Sequence, residues 1–359
     1  MSLRFHRRQT LLAGIGLAAG GGLTACKGQA AEPAPAPAIP PLKSAASWPM
    51  GCAVTNAHLA EPDYAALLTR NFSQITAEFE MKMEAILAAD GSLDFARPDR
   101  IAAFARARAL RLHGHALIWH QEDSTSFRNL LSDKPAFLRA YGDYVRTVCA
   151  RYAGQAVGWD VVNEPVAEDG DGYRDCLWRQ GLGMDYVARA FHAARAADPD
   201  AILFLNDYNL EAFPRKRGAF LKLMEDLLKS GAPVNGIGTQ SHLQVDLEPG
   251  AIKQSIKDLA SLGLPLHISE LDVSVRPLKK LDLTSHADRV ERQKRLVGEL
   301  SEAFAALPQK QRYALTVWGL RDSDSWLLRP QAGEDVGEEP LLFDDRGDAK
   351  ALAAVVVGR

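Results

Sequence analysis

Short apolar runs rich in β-branched residues alternate along this chain with longer amphipathic stretches, a pattern that restricts it to α/β architectures. Strands are expected at 51–54, 74–79, 112–119, 157–162, 202–207, 236–242, 266–272 and 314–318. Between them, 97–110, 134–152, 186–197, 215–228 and 251–262 place apolar residues at three- and four-residue steps, the spacing of helices with one buried face. Eight such units predict a closed (β/α)8 TIM barrel, which carries its function at the C-terminal strand ends. A doubly wound open sheet is the alternative. It is disfavoured because no GxGxxG follows the first strand.

Charge narrows the function classes. The 42 basic and 45 acidic residues give a net charge of -3, so no domain-scale basic field exists to hold nucleic acid. Four scattered cysteines make neither a disulfide scaffold nor a CxxC zinc pair.

The first 47 residues read as an address and a spacer. Arg4, His6, Arg7 and Arg8 precede an apolar run from Leu11 to Ala25 that is too short to span a bilayer and too rich in glycine for a buried helix. Arg7-Arg8-Gln9-Thr10-Leu11-Leu12 resembles a twin-arginine signal, although Thr10 stands where an aromatic is common. Leu23-Thr24-Ala25-Cys26 resembles a lipobox, so 1–26 is expected to be a signal ending at a lipidated Cys26. Alternating prolines and alanines across 27–47 suit an extended tether. The barrel domain is then expected over 48–359, exported and either held at a periplasmic or outer-membrane face or secreted.

Polar and aromatic residues gather where the expected strands stop. Strand two ends in Glu78, Glu80 and Lys82, strand three in His113, His115, Trp119 and His120, and strand four in Asn163-Glu164-Pro165. Strand five ends in Asn206-Asp207-Tyr208-Asn209, strand six in Gln240, Ser241 and His242, strand seven in Glu270 and Asp272, and strand eight in Trp318. Glu164 and Glu270 face each other across one barrel mouth. Glycoside hydrolysis needs such a pair, one carboxyl to protonate the leaving oxygen and one to attack or to activate water. Trp119, Trp318 and Trp326 offer flat faces to sugar rings, while Asn163, Gln240, His115 and Lys82 offer hydrogen bonds to hydroxyls. A metal site on His113, His115 and His120 is disfavoured, because strand alternation sends the first two to one face and the third to the other. No GxSxG supports a serine nucleophile.

Seven segments in order carry a resemblance: 78–82 (EFEMK), 113–120 (HGHALIWH), 159–165 (WDVVNEP), 206–209 (NDYN), 236–243 (GIGTQSHL), 268–273 (ISELDV) and 316–326 (TVWGLRDSDSW). From about residue 48 onward the chain resembles glycoside hydrolase family 10, the retaining endo-β-1,4-xylanases. The resemblance implies Glu164 as acid/base and Glu270 as nucleophile, their carboxyls about 5–5.5 Å apart in a retaining enzyme. It also implies that Asn163 bonds the 2-hydroxyl of the cleaved sugar, and that His242 holds the nucleophile with Asp272 behind it. Glu78, Lys82, His115, Trp119, Gln240 and Trp318 correspond to residues lining the sugar subsite. Trp326 corresponds to a lid-like aromatic near the sugar's C5, and Tyr208 to a leaving-group-side contact. The family implies a xylan-type substrate and no cofactor; no metal is expected, and the chain is expected to work as a monomer.

Two positions depart from the family pattern. Phe79 stands where strand two usually has Asn, and Trp119-His120-Gln121-Glu122 replaces Trp-His-Ser-Gln. Both missing amides belong by resemblance to distal sugar recognition, so Phe79 and Glu122 are expected to weaken it. Other readings therefore stay open: a β-glycanase acting on decorated or different chains, or a catalytically silent carbohydrate-binding lipoprotein. Cys52 and Cys149 suit buried packing. Pairing of Cys149 with Cys176 stays open.

Overall fold

The computed structural model describes residues 39–122, 124–276, 284–328 and 337–358. The signal, lipobox and most of the expected tether lie outside them. The folded unit begins at Ile39, and the short helix Leu42–Ala45 buries Leu42 against it. Residues 39–47, read from composition as the end of a spacer, are therefore part of the domain.

Strands β1 (Met50–Val54), β2 (Gln74–Ala77), β3 (Arg111–Trp119), β4 (Ala156–Asn163), β5 (Ile202–Asp207) and β6 (Gly236–Thr239) pair in parallel, each with the next. β6 then pairs with β8 (Leu266–Ser274), β8 with β9 (Arg312–Val317), and β9 with β1, which closes the barrel. The expected sixth strand is interrupted at Gln240-Ser241, where Ser241 takes a φ of 56°, and resumes as β7 (His242–Gln244) beside β8. Outside lie α1 (Pro62–Asn71), α2 (Ala96–Ala107), α3 (Lys134–Arg151), α4 (Tyr186–Ala197), α5 (Pro214–Lys229), α6 (Ala251–Ala260), α7 (His286–Ala305) and α8 (Ala351–Val355).

The helices follow local rules. α3 starts where the Asp133 side chain accepts from Ala136 N, with Pro135 in the first turn, and Phe137, Tyr141, Val145 and Val148 form its buried stripe. α7 is capped by Ser285 and buries Leu296, Val297, Leu300 and Phe304. Among the described residues no helix is long and apolar enough to cross a membrane.

The barrel interior is polar low down as well as at its mouth. His113 lies 3.0 Å from the Tyr313 hydroxyl, His267 lies 2.8 Å from Thr316 Oγ1, and Asp160 sits between His113 and His115 at 3.2 and 2.8 Å. Burial opposes ionisation of Asp160, but the two imidazoles outweigh it and hold its pKa below the usual carboxylate value. The ligating atoms of His113, Asp160 and His267 lie within 4.8 Å of one another, a grouping that strand alternation within β3 alone does not anticipate. Gly114, between the two histidines of β3, has its reason outside this layer. A Cβ there would stand 2.1 Å from the Trp159 ring, which packs directly on the glycine backbone.

Candidate active site

Register decides which side chains meet. Trp119 is level with Asn163 on the neighbouring strand, Asn163 with Asn206, and His242 with Asp272. The β4–β5 pairing slips between Asp160 and Val162, so Asp160 and Asn163 both face the interior although they are an odd number of residues apart. Among the described residues, three of the four non-glycine residues with positive φ sit at these strand ends: Glu164 at 57°, Asn209 at 60° and Ser241 at 56°. Such conformations cost energy and mark places where a side chain is aimed by its surroundings.

The strand ends open into a cleft of about 590 Å³. It is lined by every sugar-contact and catalytic residue expected from the sequence: Glu78, Lys82, His115, Trp119, Asn163, Glu164, Tyr208, Gln240, His242, Glu270, Asp272, Trp318 and Trp326. Cys26 lies outside the described residues.

Glu164 and Glu270 are joined through amides. Asn163 Nδ2 and Gln240 Nε2 donate to Glu164 Oε1 at 3.1 and 2.9 Å. Asn206 Nδ2 donates at 2.9 Å both to Asn163 Oδ1 and to Glu270 Oε1, and its own Oδ1 accepts from Ser269 Oγ. Asn206 thus couples the two carboxylates. The sequence shows it at a strand end without revealing that role, which comes from its register beside Asn163. Gly238 makes room for it, since a Cβ there would lie 2.3 Å from Asn206 Oδ1.

The two carboxylates have different neighbours. Glu270 Oε2 lies 3.3 Å from His242 Nε2, and His242 Nδ1 forms a 2.9 Å ion pair with Asp272. Burial alone would favour neutral imidazole; Asp272 and Glu270 overcome it and hold the His242 pKa at about 10, so a cation sits beside Glu270 at neutral pH. Glu164 Oε2 instead faces His120 Nδ1 at 3.4 Å. Burial pushes His120 down to about 4 despite Glu164, with Arg174 and Lys216 adding to the effect, so that ring is neutral. One carboxylate therefore has a cationic imidazole beside it and the other a neutral one.

The flanking walls carry the aromatics. Lys82 Nζ stands 4.6 Å over the Trp119 ring, whose backbone oxygen accepts from Trp178 Nε1. Trp318 meets the rings of His115 and His242 edge-on. On the opposite wall Lys216, fully buried, pairs with Asp207 at 2.9 Å and Glu168 at 3.2 Å and lies 3.5 Å from the Tyr208 ring centroid. Arg174 reaches the Tyr208 hydroxyl at 2.5 Å and the Glu164 carbonyl at 3.1 Å. Neither Lys216 nor Arg174 is marked by a strand end, and sequence reasoning passes over both.

Phe79 and Glu122 mark the two departures from the family pattern. Neither lines the cleft. Glu122 is buried, and its two oxygens accept from the Met83 and Glu84 amides at 3.1 and 3.0 Å, closing the start of the short helix Met83–Ile86. The neighbouring Gln121 reaches the cleft in its place, one residue off the family spacing. Phe79 is half-buried, with the Arg97 guanidinium 4.8 Å from its ring. Cys52, Cys149 and Cys176 are all free and buried, so the Cys149–Cys176 pairing is not formed.

Comparison with known proteins places this arrangement. Endo-1,4-beta-xylanase B of Paenibacillus barcinonensis is 35% identical over 334 residues, which cover 89% of this chain and 98% of that protein. Exoglucanase XynX of Acetivibrio thermocellus and endo-1,4-beta-xylanase A of Cellvibrio japonicus are each 35% identical, but the chain spans only 29% and 56% of their lengths. The crystal structure of xylanase XynB from P. barcinonensis, complexed with a conduramine derivative, superposes with a TM-score of 0.82 at 32% identity, covering 89% of this chain and 98% of that one. A mutant of an intracellular Thermoanaerobacterium saccharolyticum xylanase in complex with xylotriose gives 0.79 at 32% identity, with 89% and 98% coverage. The model of glycosyl hydrolase family 10 matches residues 41–358, and the chain belongs to that family.

Proposed function

We propose that this chain is a retaining endo-β-1,4-xylanase in which Glu270 is the nucleophile and Glu164 the acid/base. The observation that carries the assignment is the unequal environment of the two coupled carboxylates: His242 and Asn206 hold Glu270, whereas Glu164 meets amide donors and a neutral imidazole. In the first step a Glu270 oxygen bonds the anomeric carbon as the glycosidic C–O bond breaks. The bonding pair leaves on the aglycone oxygen, which takes the Glu164 proton. In the second step Glu164 removes a proton from water, the water oxygen attacks the same carbon, and Glu270 departs. Asn163 lies at the floor of the site to bond the 2-hydroxyl, and the aromatic walls suit the apolar faces of a xylan-type chain.

Two variants test the roles. Glu270→Ala should lose turnover on every substrate, because no covalent intermediate forms. Glu164→Ala should retain the first step only for aryl xylosides with good leaving groups. Near-normal xylan hydrolysis by Glu270→Ala refutes the assignment. One relative in this family bears the name exoglucanase, so products should be profiled on defined cello- as well as xylo-oligosaccharides.

The export reading is likewise a proposal, supported by Arg7-Arg8 and by Leu23-Thr24-Ala25-Cys26 ahead of the prolines. A bacterial lipoprotein would carry several acyl chains at Cys26, since one anchors only marginally. Cys26→Ser should then release the protein from membranes or leave it as an unprocessed precursor. A soluble wild type whose N-terminus lies beyond Cys26 overturns lipidation.

A further inference from the structure

Asp272 is almost wholly buried, and a single one of its oxygens, Oδ2, meets two N–H groups. One is His242 Nδ1 at 2.9 Å. The other is the indole Nε1 of Trp326, at 2.8 Å. Trp326 sits on a 3-10 turn at the rim, is 37% exposed, and meets the His242 ring edge-on with centroids 5.4 Å apart. His242 in turn reaches Glu270 Oε2 at 3.3 Å. Four groups thus run from the cleft rim to the catalytic carboxylate: indole, Asp272, imidazolium, Glu270.

A buried carboxylate needs donors around it to fix its orientation, and the indole N–H is the hydrogen bond that does so here. Asp272 lies opposite His242 in the β7–β8 register, but register places only its backbone. The oxygen that faces His242 is the one the indole holds. If the indole N–H is lost, Asp272 can turn about its side-chain bonds, and the His242 ring loses the partner that aims it at Glu270.

We infer that Trp326 is a positioning residue for the nucleophile: through its N–H it sets Asp272, and through Asp272 and His242 it sets Glu270, in addition to offering its ring to the substrate. Contact of a sugar with the rim indole and reactivity of the carboxylate at the floor are then linked. The inference rests on the proposed roles of Glu270 and Glu164. The other ionisable groups on the cleft, Glu78, Lys82, His115, Glu164 and Tyr208, are unchanged in the Trp326 variants.

The test uses the full chain and an aryl 2-deoxy-2-fluoro-β-xyloside with a dinitrophenolate leaving group, which traps the covalent intermediate as Glu270 bonds the anomeric carbon and the phenolate departs. The limiting trapping rate and the half-saturating concentration are measured for wild type, Trp326→Phe and Trp326→Ala, each across pH, with thermal melts to verify folding. Phe keeps a ring and loses the N–H; Ala loses both. The expected result is a limiting rate lowered roughly tenfold in both variants, the effect of losing one well-placed charge-assisted bond. The acidic limb of the rate profile should move to higher pH in both, and the half-saturating concentration should rise chiefly in Trp326→Ala. A Trp326→Phe variant with wild-type rate and wild-type acidic limb overturns the inference and leaves Trp326 as a sugar contact alone. Wild type that is not labelled at Glu270, by peptide mass mapping, overturns the parent assignment and this inference with it.

Discussion

On the wall that carries Tyr208, the cleft hangs on one buried cation, whereas the wall that carries Glu78 and Lys82 is tied down by backbone caps. Lys216 has no solvent exposure and answers Asp207, Glu168 and the Tyr208 ring together. Asp207 accepts in addition from the Val166 and Tyr208 amides, so the turn after Glu164 and the turn after β5 share one charge. Across the mouth, Glu122 closes the start of the Met83–Ile86 helix just after Lys82, and no basic side chain forms an ion pair with it within 4.0 Å among the described residues. A charge-centred wall concentrates its stability in one residue; a capped wall spreads it over bonds that a neutral side chain can partly replace. The two should therefore fail differently.

The largest expected effect is at Lys216. Removing one partner of a buried pair typically costs about 3–5 kcal/mol, because the charge left behind has no compensation. Asp207 will escape part of that cost. Burial raises its pKa to about 6 even with Lys216 lowering it, so without the lysine it should take up a proton near neutral pH. Lys216→Met should lower unfolding free energy by roughly 3 kcal/mol or more in a denaturant titration. Activity on xylo-oligosaccharides should fall further than on aryl xylosides, since the wall that moves carries Tyr208. A variant as stable as wild type shows that this wall does not depend on the cation.

Next comes the link between the walls. Gly238→Ala puts a Cβ where Asn206 Oδ1 now lies, 2.3 Å away, and Asn206 must shift out of its bonds to Asn163 and Glu270. Overpacking of this kind costs about 1–3 kcal/mol of stability. A displacement near 1 Å at the reacting centre can cost on the order of a hundredfold in rate. kcat should therefore drop about a hundredfold while the melting temperature falls only moderately. A loss of stability with kcat preserved removes Asn206 from its coupling role.

The same contrast explains what could be read in advance. Strand positions and the polar residues at their ends were legible because β-periodicity and barrel topology both act on local sequence; β5 and α4 match the expected bounds at both ends. The break at Gln240-Ser241 was not, since it depends on Ser241 holding a positive φ with its hydroxyl on the buried Glu211. Lys216 was hidden in an α5 sequence that reads as an ordinary charged face, and only three-dimensional packing turns it inward against Asp207. Glu122 misled in the opposite way. Family spacing assigned it to the sugar pocket, while two free amides at the start of a four-residue helix offered it a closer partner.

Glu122 gives a pH-dependent test of the capped wall. Burial, helped by Glu84, raises its pKa from 4.5 to about 7 against the opposing bonds to the Glu84 and Met83 amides. The folded protein then holds more protons than the unfolded chain between these values, so this group's contribution falls as pH rises through that window. Glu122→Gln removes the titration but leaves one of the two amides without its acceptor, a cost of about 1 kcal/mol. At pH 5 the variant should melt below wild type. By pH 8 the difference should shrink or reverse, a swing of up to about 3 kcal/mol. A gap that stays constant with pH shows that Glu122 does not titrate in this range.

The smallest effects should separate two residues of the same rim. Gln121 lines the cleft and Phe79 does not. If Gln121 contacts a sugar, Gln121→Ala loses one polar contact, about 0.5–1.5 kcal/mol, or roughly a two- to tenfold fall in kcat/KM on xylotetraose. An aryl xyloside that does not reach that rim should be hydrolysed as before. Phe79→Asn restores the amide common in the family, yet the side chain starts from a position under the Arg97 guanidinium, outside the residues that line the cleft. It should change kcat/KM on either substrate by less than about twofold, and cost only the fraction of a kcal/mol that an exposed cation–π contact is worth. If Phe79→Asn raises activity on xylotetraose several-fold while leaving the aryl xyloside unchanged, the phenylalanine does limit distal sugar binding, and the capped wall is more adaptable than its bonds indicate.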